Sequence, residues 1–305
     1  MTQANANPST SRRIALTLEY DGSAFSGWQK QKSPTVNTVQ EVLETALARV
    51  SDHSVTVACA GRTDAGVHAT GQIVHFDCLT PRDNKAWIHG VNSLLPKEVR
   101  VVGASSVENT FHARFSALNR RYCYLISSAS VPSGIFQGKI TCIQRRLDIE
   151  AMQRAAQCLV GEHDFSAFRA AGCQSASANR NVSAISVVDW FGVTVIDIRA
   201  NAFLQHMVRN ISGSLIDVGK GKQREAWIAE VLESKDRSKA GVTAPPDGLY
   251  LVGVGLMKER CHGINQDSRF FLPATNSRDI ANLVTSLLCL ALYYHCLKSG
   301  PKSVE

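Results

Sequence analysis

The strongest constraint on the fold is an order of elements that the chain runs through twice. In the first half, the pattern of apolar residues predicts a strand over 14–20, a helix over 38–50, strands over 55–60 and 72–78, a helix over 84–95 and a strand over 99–105. The clearest of these is the first helix. Its apolar residues Val39, Val42, Leu43, Ala46, Leu47 and Val50 recur at three- and four-residue steps, the stripe of a helix lying on a sheet. The second half gives a strand over 121–126, a helix over 149–160 closed by Gly161, strands over 181–190 and 193–199, helices over 203–218 and 224–233, and a strand over 250–254. Both halves read βαββαβ, with one extra helix in the second and no residue-by-residue identity between them.

Such a unit makes a mainly antiparallel sheet with helices on one face, the ferredoxin-like arrangement. The expected fold is therefore α+β: two ferredoxin-like halves, residues 12–108 and 109–274, flanking a central basic catalytic cleft. Residues 1–11 read as a loose tail without the apolar run of a secretory signal. The stretch 162–180 has small and polar residues without periodicity and reads as a long loop. The 275–305 extension contains an uncharged, mostly apolar run over 280–297, read either as a packed terminal helix or as a tail anchor.

Composition narrows the class. Of 305 residues, 44% are hydrophobic and 19% charged, which excludes a disordered chain. Thirty-three Lys+Arg against 26 Asp+Glu give a net charge of +7 and favour an anionic partner, nucleic acid first. Nine cysteines occur without a C-x-x-C pair, an odd count that points to reduced thiols in a cytoplasm.

The chemistry centres on "AGRTDAGVHATGQIVHF", where Asp64 stands in a loop framed by Gly61, Gly66 and Gly71. Two readings of this carboxylate stand side by side. Asp-Ala-Gly suits a turn in which the side chain caps backbone N–H groups. Arg62, two residues before it, favours an ionised carboxylate serving as an anion or nucleophile. Asp64, His68 and His75 are metal ligands by type, but without ligand spacing no metal is expected. The signatures of triad hydrolases, P-loop NTPases and dinucleotide enzymes are absent from the sequence, so a reaction without cofactor is expected.

Basic residues interleave with aromatics in "FHARFSALNRRYCY", which supplies His112, Arg114, Phe115, Arg120, Arg121 and Tyr122, a mixture that grips phosphates and stacks on bases. In "ANAFLQHMVRN", a helix beginning near Phe203 places His206 and Arg209 on one face.

These stretches, together with "EYDGSAFSGWQ" and "GLYLVGV", occur in an order that closely resembles the tRNA pseudouridine synthase A family over roughly residues 12–274. The resemblance implies a tRNA pseudouridine(38–40) synthase, which isomerises uridine to pseudouridine at positions 38, 39 and 40 of the anticodon stem-loop, with neither cofactor nor metal. It implies that Asp64 is the essential nucleophile, adding to the sugar covalently or else deprotonating it toward a glycal. By the same pattern Arg62 fills the space left by the flipped nucleotide, Tyr122 packs on the uracil and helps exchange the C5 proton, Arg209 pairs with Asp64, and Leu251 walls the pocket. Phe111, His112, Ala113, Arg114 and Phe115 match tRNA-contacting stretches of the family. So do Gly172, Cys173, Gln174, Ser175 and Ala176, with Arg82, Arg114 and Arg169 as phosphate partners.

The family's mode of action implies a homodimer in which one tRNA touches both subunits, with no membrane partner, in the cytoplasm. A reading from another class is a catalytically silent tRNA-binding or RNA-chaperone protein using the same surface. Asp64 separates the two, since only the isomerase needs it.

Overall fold

A computed structural model describes residues 11–31 and 36–256, all within the unit Met1–Leu272. Most of the N-terminal tail, Cys261, Cys289 and Cys296, and the whole 275–305 extension with its apolar run lie outside the described residues.

The chain is a mixed α/β protein built on one ten-stranded sheet. Its strands are β1 (Arg12–Tyr20), β2 (Ala58–Cys59), β3 (His68–Cys78), β4 (Val99–Val107), β5 (Ala117–Ser128), β6 (Thr141–Ile143), β7 (Gly161–Asp164), β8 (Asn179–Trp190), β9 (Val193–Ala200) and β10 (Leu249–Leu256). They are ordered β4-β1-β3-β10-β5-β9-β8-β7, with β2 on β3 and β6 on β5. All the pairings are antiparallel except β5 with β6 and β3 with β10. In the β3–β10 pairing, Tyr250 lies opposite His68 and Leu251 opposite Ala69.

That short parallel pairing joins the strands of the two sequence halves. β1 occupies one edge of β3 along its length. The other edge is shared: β10 takes residues 68–69 and β2 takes residues 74–75. The strand expected over 55–60 shrinks to Ala58 and Cys59, although Val55 and Val57 are still buried.

Among the described residues there are four α-helices: α1 (Val39–Ser51), α2 (Ile149–Ala156), α3 (Met207–Gly219) and α4 (Trp227–Ser234). α1 starts where the Thr38 hydroxyl accepts from Glu41 N–H and stops at Asp52, in the left-handed conformation. Its Val39, Leu43, Ala46 and Leu47 pack with Ile14, Leu16 and Leu18 of β1 in the main core, which α2, α3 and α4 continue. The helix expected over 84–95 forms over residues 84–92 and widens to π geometry at Ala86–Gly90, where Trp87 is fully buried. The region expected to be one long loop after Gly161 instead opens with β7, paired to the start of β8, and a 3₁₀ turn. Phe165, Ala167 and Phe168 anchor it in the core.

A smaller core lies apart from the first, where Phe111 and Ala113 pack with Ala15, Ile73 and Val254. His75 secures this cover: its Nδ1 accepts the Ala113 N–H at 3.1 Å. Burial, with His112 and Arg13 adding to it against the opposing pull of Asp77, lowers the His75 ring to about 4.

Because the folded protein holds His75 neutral well below the pH at which the unfolded chain takes up a proton, stability should fall as pH drops from about 6.5 to about 4. Urea unfolding across that interval should show a shallower loss in His75→Gln. The share owed to His68 and His112, both also lowered chiefly by burial, should remain.

Candidate active site

The segment between β2 and β3 is fixed from several sides. Gln72, fully buried in β3, donates from Nε2 to the Gly61 carbonyl at 2.5 Å and accepts the Gly61 N–H at 3.3 Å. The Tyr20 hydroxyl shares a hydrogen bond with Thr63 Oγ1 at 2.8 Å, and Trp28 N–H donates to the Thr63 carbonyl at 3.0 Å. Val67 N–H closes a turn on the Asp64 carbonyl at 3.1 Å. Gly27, at φ +101°, lies so close to this turn that a Cβ there would meet the Thr63 oxygen at 3.0 Å and the Ala65 nitrogen at 3.2 Å, so only glycine lets the two segments touch.

Held this way, Asp64 keeps its side chain 32% exposed while a histidine and an arginine approach one oxygen. His206 Nε2 lies 3.5 Å from Oδ2 and Arg209 Nη1 3.8 Å. These are charge contacts with room between the groups, longer than a tight hydrogen bond. Arg209 cannot swing freely, because its Nε donates to the Ala244 carbonyl at 2.8 Å.

The helix that carries these cations differs from the sequence expectation. α3 begins at Met207, and His206 caps it with φ 61° and ψ 2°, a left-handed backbone that a non-glycine residue adopts at a cost of about 1–3 kcal/mol. The helix thus starts four residues later than expected, yet His206 at its cap and Arg209 in its first turn both reach the same Asp64 oxygen.

Tyr122 of β5 and Leu251 of β10 are paired across their strands. A Cβ placed on Gly61 would meet the Tyr122 hydroxyl at 3.6 Å and a Leu251 methyl at 3.9 Å, so both residues border the start of the Asp64 loop. Phe203 meets the Tyr122 ring edge-on at 5.1 Å. Burial, then Tyr20 and the charge of Asp64, raise the Tyr122 hydroxyl above the usual range, so it is a neutral phenol at neutral pH. Arg62 stands exposed two residues before the carboxylate.

The residues expected to touch RNA separate into groups. Phe111 and Ala113 are fully buried in the smaller core and have no surface to offer, because alternate residues of that segment face the sheet. His112, Arg114 and Phe115 stand on the outer side, where the His112 ring lies 4.4 Å from Phe115 and the Arg114 guanidinium 5.6 Å from the same ring. Phe115 is 73% exposed. Arg169 donates to the carbonyls of Cys173 (2.6 Å) and Ser175 (2.8 Å), shaping the turn that exposes Gly172, Gln174 and Ala176. Ala170 N–H bonds the Gln205 carbonyl, which ties this turn to the residue preceding His206. Arg82 is engaged elsewhere, with Asp52 and the Val50 carbonyl at the end of α1.

Arg120 and Arg121, read from sequence as phosphate-gripping, are both buried. Arg121 forms a two-pronged pair with Asp197 of β9 at 2.9 and 2.8 Å, a long-range partner with no local sequence signal. The part played by Gln72 has no such signal either. A shallow hollow of about 380 Å³ bounded by Pro132, Cys142, Ile143, Gln144, Arg145 and Lys220 shares no residue with the site.

The family model described as tRNA pseudouridine synthase matches residues 17–116 and 155–255, which include Asp64, Arg209 and Leu251. The chain belongs to this family. It is an isomerase that converts uridine to pseudouridine. Among similar proteins, the tRNA pseudouridine synthase A of Legionella pneumophila (strain Lens) is 49% identical over 247 residues, 81% of this chain and 94% of that protein. Those of Alcanivorax borkumensis and Klebsiella pneumoniae are 51% and 52% identical over 242 residues each, 79% of this chain and 90% and 89% of theirs.

Replacing Gln72 by Leu keeps the volume near Gly61 but leaves the glycine's N–H and carbonyl without that partner, at a cost of about 1–3 kcal/mol for a buried unpaired group. Urea unfolding of Gln72→Leu should register a loss of that size, and an unchanged midpoint would mean that the enzyme's loop does not depend on this amide.

Proposed function

We propose that the enzyme acts on tRNA, isomerising uridines 38, 39 and 40 of the anticodon stem-loop, with Asp64 as the essential nucleophile. One observation carries the assignment of the acid: a partly exposed carboxylate with a histidine and an arginine within 4 Å, bordered by a neutral phenol and an apolar wall. The reaction breaks N1–C1′, turns the uracil and forms C5–C1′, with the C5 proton lost and N1 protonated. Atoms and electrons balance without an external reagent.

Asp64 attacks C1′, and Arg209 and His206 stand within 4 Å of its Oδ2 while the base is detached. Tyr122, held neutral, stacks beside the uracil and relays the proton leaving C5. Leu251 walls the uracil on its other side. Taking the uridine out of its stack requires a few kcal/mol. Arg62 offsets it by entering the vacated space, and the exposed Arg114 and Phe115 with the half-buried His112 supply cationic and stacking contacts. The turn at 172–176, set by Arg169, and the cation Arg82 extend the phosphate-binding surface. A second use of Asp64, removal of the C2′ proton to give a glycal, predicts a primary kinetic isotope effect with 2′-deuterated uridine, which attack at C1′ does not.

The strand orders β4-β1-β3-β2 and β10-β5-β9-β8 place equivalent elements of the two sequence repeats alike, which supports reading residues 12–108 and 109–274 as two ferredoxin-like halves with a basic cleft between them. The enzyme is cytoplasmic and works as a homodimer, so sedimentation should give a dimer alone and tRNA bridging two subunits. A monomer carrying one tRNA contradicts that. Among the described residues no helix is long and apolar enough to cross a membrane.

Carbodiimide mapping of anticodon stem-loop RNA after incubation should report pseudouridine at these positions with the wild-type enzyme and at none with Asp64→Ala, while the variant still binds tRNA. An active Asp64→Ala removes the nucleophile from the reading. A silent wild-type enzyme that still binds favours the chaperone alternative.

A further inference from the structure

Arg120 is a buried cation whose bonding is unusual. Its guanidinium donates five hydrogen bonds, all to main-chain carbonyls: Nε and Nη2 to Ala60 at 3.1 and 2.8 Å, Nη2 to Arg114 at 2.7 Å, and Nη1 to Ala117 at 3.1 Å and Asn201 at 2.9 Å. The side chain belongs to a residue only 9% exposed. Burying a charge is unfavourable unless its donors are satisfied, and an apolar residue of similar volume fills a core at less cost. Retaining arginine here therefore points to its geometry, a planar fork that fixes several acceptors at once.

The acceptors identify what is being fixed. Ala60 opens the segment whose fifth residue is Asp64. Arg114 belongs to the surface turn with His112 and Phe115, and Ala117 begins β5, the strand of Tyr122. Asn201 begins the segment that ends at His206, the histidine beside Asp64. One side chain thus reaches the loop of the proposed nucleophile, the proposed RNA-facing turn and the turn carrying the histidine beside Asp64, and those three segments come from far-separated parts of the chain.

We infer that Arg120 is a positioning residue: it sets Asp64 in register with His206 and Arg209 without touching substrate, so its loss slows the chemical step and leaves RNA affinity in place. The inference rests on Asp64 being the acid of the reaction proposed above. Lysine cannot reproduce the fork, because one ammonium does not reach acceptors spread over three segments. Methionine keeps the volume without any donor.

The test uses the full chain with Arg120→Lys, Arg120→Met and Arg120→Ala beside Asp64→Ala, each assayed well below its unfolding midpoint. Single-turnover pseudouridine formation should fall at least tenfold in the lysine and methionine variants, with tRNA Kd within about threefold of wild type. Millimolar methylguanidinium should restore part of the rate in Arg120→Ala and do nothing for Arg120→Met, whose side chain fills the space.

A wild-type rate in Arg120→Lys overturns the inference. So does a loss of affinity by the same factor as the rate, which makes Arg120 an RNA contact, or failure of all three Arg120 variants to fold, which makes it a residue of the fold alone. An active Asp64→Ala strikes instead at the reading beneath it, so the two failures are told apart within one set of proteins.

Discussion

The arrangement depends on a short parallel contact, Tyr250 and Leu251 of β10 against His68 and Ala69 of β3. It bridges the strands of the first sequence repeat to those of the second. Because β10 and β2 divide one edge of β3, the chain between β2 and β3 leaves the sheet where that edge changes partner, and Asp64 rides on the departing segment. On its other edge, β10 pairs Leu251 with Tyr122. The same two residues of β10 therefore place the acid's loop, the phenol and the apolar wall together.

Electrostatics then assigns different characters to neighbouring groups. Asp64 retains exposure and faces His206 and Arg209. Tyr122 is buried, and the anion beside it adds to the cost of ionising its hydroxyl, so it remains a proton-carrying group. Arg209 is held by a carbonyl as well as by Asp64, which limits the reorganisation needed when charge moves during reaction. Arg120 extends the same economy of motion to the backbone, since its acceptors are main-chain oxygens that side-chain rearrangement does not release.

Features set by local periodicity were legible in the sequence. The stripe of α1 and its start at Thr38 follow from the spacing of apolar residues, and the structure reproduces them, whereas the short strands β6 and β7 carry no such pattern. Asp64 stood out because its glycine-framed loop and neighbouring arginine are contiguous. Contacts across long separations were not legible. Nothing near Arg121 announces Asp197, and nothing in an alternating basic and aromatic run tells buried Phe111 and Ala113 from exposed Phe115, because the face a residue takes depends on the strand beneath it.

The position of β10 has a consequence for biogenesis. The strand synthesised last among those described lies in the middle of the sheet, between two made much earlier. Until it leaves the ribosome, β3 and β5 expose open edges, the kind of surface that recruits other chains. A nascent polypeptide stopped short of residue 249 holds Asp64, His206 and Arg209 but lacks the strand that joins β3 to β5. The sheet is therefore completed only once translation has passed this strand.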